Sequence, residues 1–286
     1  MNLCRFQNLT GDPGHRVGLL TESSVIDLSA DGVDSITALL EGPSPIARVS
    51  ELGRRSLPRL PLTEVRLLPP VERQEVWAAG VTYQRSKSAR MEESDFSAKA
   101  YNHVYDAPRP EIFFKSLAEK VSGPGDPVGI RRDARWNVPE PELALVLNSR
   151  GELAGYTVGN DMSSRDIEGE NLLYLPQAKI YESSCAVGPS IVVGPTEADV
   201  RGWTIQLAIL RGDTQVFAGE TSVSRIKRTF GELASWLFRS QRFPHGAILL
   251  TGTGIVPPNE FTLESGDRVR ITLGPVGTLE NPVVVV

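Results

Sequence analysis

The pattern of apolar and polar positions changes character near residue 70. Before it, short strand-like stretches flank Gly11-Asp-Pro-Gly14, and the segment Val33-Asp-Ser-Ile-Thr-Ala-Leu-Leu40 has helical apolar spacing. Pro43, Pro45, Pro58 and Pro61 then mark irregular linking segments, since proline fixes φ and removes a backbone donor, and Pro69-Pro70 closes the region. The expectation is a small N-terminal α+β domain over residues 1–70 and a larger catalytic domain over residues 71–286. Beyond the boundary, stretches rich in β-branched and aromatic residues predict strands at Val76–Tyr83, Glu111–Phe114, Glu142–Leu147, Ser190–Val193, Trp203–Leu210, Arg268–Leu273 and Pro282–Val286. Over Arg228–Phe238 the period changes. Phe230, Leu233, Ala234 and Leu237 stand at i, i+3, i+4 and i+7 and predict an amphipathic helix. Irregularly spaced strands with few helices between them argue for a mainly β core of α+β class and against a doubly wound parallel sheet. Gly252-Thr-Gly254 lacks the spacing of a nucleotide-binding loop and reads as a turn after the apolar run Ala247–Leu250.

Composition narrows the partners. With 286 residues, 40% hydrophobic and 23% charged, the chain has the make-up of an ordinary globule. Thirty basic against thirty-five acidic residues give a net charge of -5, no electrostatic reason to expect nucleic acid. The short basic run Gly129–Arg135 reads as a solvated loop. Cys4 and Cys185 form neither a metal-ligand spacing nor a disulfide framework, which suits a reducing cytoplasm. The N-terminal residues carry no apolar leader, and no segment approaches the roughly 18 apolar residues of a membrane span. A soluble cytoplasmic protein is expected, with neither nucleic acid nor membrane as partner.

Two clusters carry candidate chemistry. In Glu140-Pro141-Glu142, an extended chain places residues i and i+2 on one face, where two carboxylates can meet one ion. Pro141 favours that extended form, although a lone Glu-x-Glu also reads as a solvated strand start. In the second cluster, an apolar strand runs from Gly155 straight into Asn160, Asp161, Ser163, Ser164, Arg165 and Asp166. This is a functional mouth or a turn capped by its own side chains. Together they offer hard oxygen ligands without convergent His or Cys, which suits magnesium, manganese or calcium better than zinc. An octahedral ion on three protein carboxylates keeps open positions. A 2-keto acid fills two of them with a carboxylate oxygen and its keto oxygen.

The ordered series Glu140-x-Glu142, Gly155-Tyr-x-x-x-Asn-Asp-x-Ser-x-Arg-Asp166, Lys179, Gly188-Pro189, Thr251-Gly-Thr253 and Ser265-Gly-Asp267 resembles the fumarylacetoacetate hydrolase superfamily over roughly residues 76–286. The resemblance implies a mixed β-roll catalytic domain, a smaller N-terminal domain, and a homodimer or homotetramer. It also implies that Glu140, Glu142 and Asp161 bind magnesium, with manganese or calcium as alternatives. By the same resemblance, Lys179 reaches into the substrate site, and Arg165, Ser164 and Thr253 are substrate-binding candidates.

The family's hydrolases and decarboxylases carry a water-activating His-x-x-Glu pair after a Gly-x-Asn-Tyr strand end. Here Gly80-Val-Thr-Tyr83 is followed by Ser86 and Ala89 at those places, and His15, His103 and His245 lie elsewhere. Loss of a general base typically costs about two to four orders of magnitude in rate, which disfavours hydrolysis unless Glu92 or Glu93 substitutes. The stretches Asp166–Tyr181 and Arg109–Lys115 instead resemble a dehydratase subgroup that converts 2-keto-3-deoxy-D-arabinonate to 2,5-dioxopentanoate. In that subgroup the position of Glu111 is catalytic. The expected activity is a metal-dependent hydro-lyase, with Lys179 and Glu111 dividing the roles of base and acid. The competing readings are an acylpyruvate hydrolase or oxaloacetate decarboxylase of the same superfamily, and a sugar-acid binding protein without turnover.

Overall fold

A computed structural model describes residues 1–10, 14–84 and 103–286. Ser86, Ala89, Glu92 and Glu93 lie outside the described residues, as does most of the Gly11–Gly14 turn. The strands run β1 (Asn2–Asn8), β2 (Arg16–Leu20), β3 (Ser24–Asp27), β4 (Arg59–Pro61), β5 (Val65–Leu68), β6 (Glu75–Gly80), β7 (Glu111–Ser116), β8 (Val128–Ile130), β9 (Asn137–Val138) and β10 (Pro141–Leu147). They continue with β11 (Leu153–Asp161), β12 (Ser163–Ser164), β13 (Cys185–Val192), β14 (Thr204–Arg211), β15 (Thr214–Ser222), β16 (Ala247–Thr253), β17 (Arg268–Leu273) and β18 (Gly277–Val285).

Most of these strands join one large mixed sheet in the order β4-β3-β2-β1-β13-β11-β10-β16-β6-β7, with β5 also on β1. A five-stranded sheet, β15-β14-β17-β18-β8, packs against it, and β9 pairs with β12. In the large sheet β10, β13 and β16 are buried along their whole length, so both faces of the sheet are covered. Side chains alternate between two cores. Leu143, Leu145, Leu147 and Leu249 face the five-stranded sheet and the helix Phe230–Leu237. Ala144, Val146, Ile248 and Leu250 face Leu3, Val17, Leu28, Ile36, Leu40, Val49 and Leu52 of the N-terminal segment. Strands β14 and β17 alternate buried and open positions, as expected of strands covered on one face only.

The mainly β, mixed-sheet architecture is the expected fold class, and the Phe230–Leu237 helix buries Phe230, Leu233, Ala234 and Leu237 as the spacing predicts. Three local expectations are corrected. Pro45 does not sit in an irregular link but opens the helix Pro45–Gly53, where a missing N–H leaves no helical bond unmade. The strand expected over Val76–Tyr83 stops at Gly80, because Val81 has φ of 53° and leaves extended geometry. Gly252-Thr-Gly254 is not a turn: β16 runs on to Thr253, with a register shift that pairs Glu142 with Thr253 but Ala144 with Leu250. Gly252, at φ 88°, absorbs this bulge as glycine can.

Candidate active site

The two motif clusters meet because β10 and β11 form an antiparallel pair in which Pro141 opposes Asn160 and Glu142 opposes Gly159. This register puts Glu140 and Glu142 beside Asp161 at one end of the hairpin. The backbone N–H of Asp161 donates to the Glu140 carbonyl at 3.0 Å, and the Asn160 side chain accepts from the Glu140 N–H at 3.2 Å. Ligand oxygens of Glu140, Glu142 and Asp161 lie within 4.8 Å of one another, and all three residues are buried.

Among the described residues, three buried cations surround them. Lys179, at the end of the helix Leu175–Lys179, donates from Nζ to Glu140 Oε2 at 2.9 Å, to Asp161 Oδ2 at 3.1 Å and to Ser163 Oγ. Arg165 Nη2 stands 2.9 Å from Glu140 Oε1. Lys115 Nζ stands 2.5 Å from Asp161 Oδ1 and donates to the carbonyls of Met162, at 3.0 Å, and Lys179. Glu142 receives a different partner, the backbone N–H of Gly252 at 2.5 Å. Burial, and then the neighbouring Asp161 and Glu140 carboxylates, push the Glu142 carboxyl well above its ordinary range. A desolvated all-oxygen set crowded in this way fits a hard divalent cation, whose charge would favour the ionised form of Glu142.

The cavity over this floor is lined by Ala79, Gly80, Val81, Glu111, Phe113, Lys179, Gly252 and Thr253, and also by Glu168. Glu111 opens β7 directly opposite Gly80. Its carboxylate lies over Gly80 so closely that a Cβ there would come within 2.0 Å of Oε2. Glycine at 80 therefore leaves room for the carboxylate. Thr253 reaches the cavity rim, and its hydroxyl accepts from the Ile255 N–H at 3.2 Å. Arg165 is nearly inaccessible behind Glu140, outside the cavity lining. Ser164 is likewise outside it, and its hydroxyl donates to Asn137 Oδ1 at 2.8 Å, tying β12 to β9.

Two further residues were not singled out by sequence reading. Lys115 shares its strand face with Glu111 and Phe113 by two-residue alternation, a signal available once Glu111 was chosen. The β6–β7 register also shifts at this point, with Val76 opposite Ser116 and Trp77 opposite Phe114, so Lys115 is the extra residue of a bulge. Glu168 follows Arg165 by three positions on the short helix Arg165–Glu170, and both are buried. Its spacing could have drawn attention to it, but acids near a helix start are common for reasons of the helix dipole.

Sheet order and carboxylate floor together define a known class. Residues 75–284 match the fumarylacetoacetate (FAA) hydrolase C-terminal family, and the chain belongs to that family. Over 278 residues it is 43% identical to a probable 2-keto-3-deoxyxylonate dehydratase of Haloferax volcanii, covering 93% of this chain and 94% of that protein. It is 37% identical over 270 residues to the 2-dehydro-3-deoxy-D-arabinonate dehydratase of Saccharolobus solfataricus, covering 93% and 91%. Among solved structures, a 2-keto-3-deoxy-D-arabinonate dehydratase complexed with magnesium and 2,5-dioxopentanoate superposes with a TM-score of 0.84 at 33% identity, covering 100% of this chain and 99% of that one.

Proposed function

We propose that this protein is a magnesium-dependent hydro-lyase that removes water from a 2-keto-3-deoxy sugar acid, with 2-keto-3-deoxy-D-arabinonate as the substrate and 2,5-dioxopentanoate as the product. The observation that carries the reading is the placement of Glu111 and Lys179 in one cavity with Glu140, Glu142 and Asp161. Relatives sharing 43% and 37% of their residues with this chain over most of their length are named as dehydratases of such acids. Glu140, Glu142 and Asp161 are the residues that would hold the ion, which when bound supplies Lewis acidity toward the substrate's keto oxygen. Manganese and calcium suit the same oxygen set.

The chain's own groups then move protons. Lys179 is held at the floor by Glu140, Asp161 and Ser163; an ion on the same carboxylates would disfavour its charged form, and as the neutral amine it takes the C3 proton. Glu111, kept over Gly80, protonates the departing C4 hydroxyl. Thr253 contacts substrate from the rim, while Arg165 and Ser164 act on it through Glu140 and the β9–β12 pair. We place the substrate machinery in residues 71–286 and assign residues 1–70 to folding and assembly. Exposed Leu173, Tyr174 and Ile180 support a homodimer or homotetramer. Two buried free cysteines support residence in the cytoplasm. Among the described residues no helix is long and apolar enough to cross a membrane.

The test is incubation of the protein and magnesium with 2-keto-3-deoxy sugar acids and acylpyruvates, followed by mass spectrometry. Loss of one water from a sugar acid is expected. Lys179→Met and Glu111→Gln should each lower kcat by at least about a hundredfold. Cleavage of acylpyruvates to pyruvate with a far higher kcat/KM than any dehydration would overturn the reading in favour of a hydrolase.

A further inference from the structure

Glu168 is a buried carboxylate, 2% exposed, that the elimination just described does not use. It lines the same cavity as Glu111, Lys179 and the three floor carboxylates. Its carboxylate is outside the group of ligand oxygens that lie within 4.8 Å of one another, so the floor set does not include it. Resting on the dehydratase reading, the chemistry of the product shows what such a group is needed for.

Taking the C3 proton and expelling the C4 hydroxyl as water leaves a conjugated enone, 5-hydroxy-2-oxopent-3-enoate. This is an isomer of 2,5-dioxopentanoate and not yet the product. To reach the aldehyde, hydrogens must leave C5 and its hydroxyl while one is added at C3 and one at C4. No oxidant is involved. In the substrate the C5 hydrogens are flanked only by carbinol carbons and are not acidic. In the enone they are acidic through conjugation to the keto group. A second base is therefore required, at the end of the substrate away from the keto acid, and it acts after the first.

We infer that Glu168 is that base and a catalytic residue of the second half-reaction. A 2-keto acid held at the floor through the ion would direct C4 and C5 toward the rest of the lining, where, among the described residues, Glu111 and Glu168 are the two acids outside the floor set. Glu111 serves the C4 oxygen, and Glu168 removes a C5 proton. The C5–H pair becomes the C4–C5 double bond, the former C3–C4 pair moves to C2–C3, and the carbonyl pair moves onto the keto oxygen. Lys179, protonated in the first step, returns a proton to C3, which restores the keto group and leaves a C4–C5 enol. Glu168 then delivers its proton to C4 as the C5 hydroxyl gives its own to Glu111, which the elimination left ionised, and the aldehyde forms.

The experiment is to give Glu168→Gln holoenzyme 2-keto-3-deoxy-D-arabinonate with magnesium and to follow the products by proton NMR, which separates vinyl from aldehyde signals. The expected result is substrate loss with build-up of the enone, and aldehyde formation slowed at least about a hundredfold. Chemically made enone, supplied directly, should be converted to aldehyde by the wild type and not by the variant. If Glu168→Gln fails to fold, Glu168→Asp takes its place, with the same build-up at a smaller fold-change. Aldehyde formed at the wild-type rate overturns the inference. So does a variant that binds magnesium normally yet consumes no substrate, since Glu168 would then serve the elimination. A wild type that dehydrates no sugar acid removes the functional reading itself, a result distinct from either.

Discussion

Glu142 differs from its two neighbours in how its charge is met. Glu140 and Asp161 pair with Lys179, Arg165 and Lys115, whereas Glu142 accepts a backbone N–H from Gly252 and has its carboxyl pushed upward by burial. Glu142→Gln should therefore weaken magnesium binding at least about tenfold by isothermal titration, since it removes a carboxylate proposed as a ligand from a desolvated site. The pH consequence follows by linkage. A carboxyl whose folded pKa exceeds its unfolded value favours the folded state at low pH, and this contribution is lost as pH rises above the ordinary 4.5 through the raised folded value. Metal-free wild type should lose stability over that rise more steeply than metal-free Glu142→Gln, as measured by urea unfolding. An equal slope in both would contradict the assignment. Lys115 makes the opposite case. It is fully buried, and its removal in Lys115→Met leaves Asp161 without that cation. The expected cost is about 3–5 kcal/mol in the metal-free protein. Added magnesium should recover more of the melting temperature in this variant than in wild type, because the ion brings positive charge to the same carboxylate.

At the scale of elements, the site is assembled by irregularities in otherwise regular strands. The bulge in β16 at Gly252 turns an N–H toward Glu142, and a Cβ there would meet Thr82 Oγ1 at 2.2 Å and the Ala79 carbonyl oxygen at 3.0 Å. The bulge in β7 delivers Lys115 to Asp161. Between β6 and β7, Gly80 leaves the space that Glu111 occupies. In Gly80→Ala the added methyl should displace the Glu111 carboxylate, which is the end of a flexible side chain, and leave the backbone in place. Activity should fall at least about tenfold with magnesium affinity preserved, because Glu111 is proposed as the general acid and not as a ligand. A kcat equal to wild type would show that Glu111 need not lie over residue 80.

On the whole-molecule scale, the large sheet is continuous across residue 70. Strand β1 pairs with β13, Asn2 opposite Val192 and Leu3 opposite Ile191, and the N-terminal helices cover one face of β10, β13 and β16. Among the described residues, no carboxylate of the site cavity comes from this segment. Leu3→Ala should thus cost about 2–5 kcal/mol in denaturant unfolding, the usual range for a buried leucine, with kcat and substrate preference unchanged. Residues 75–286 expressed alone would bare Val76, Ala144, Val146, Ile191, Ile248 and Leu250 to water and should aggregate. A soluble, active fragment of that length would show that the N-terminal half of this core is dispensable.

Much of this was readable from the order of residues alone. Richness in β-branched and aromatic residues located β6, β7, β10, β14 and β17 and parts of β13 and β18, and the 3.6-residue apolar period located the Phe230–Leu237 helix, while the polar β15, Thr214–Ser222, went unread because little of it is buried. The Glu140-x-Glu142 and Asn160-Asp161 motifs marked the carboxylate floor, since each requires only neighbouring residues at a fixed spacing. The gathering of Lys115, Lys179 and Arg165 around that floor was a tertiary matter. Lys115 and Asp161 are far apart along the chain and meet only because a bulge turns one toward the other, and Glu168 gains its place from where a short helix happens to dock. The Gly252 bulge was hidden for the same reason: a glycine-rich tripeptide is locally compatible with a turn or a strand, and pairing with β10 chose the strand. Local spacing determined which groups are available, while long-range pairing decided which carboxylates share a cavity and which cations answer them.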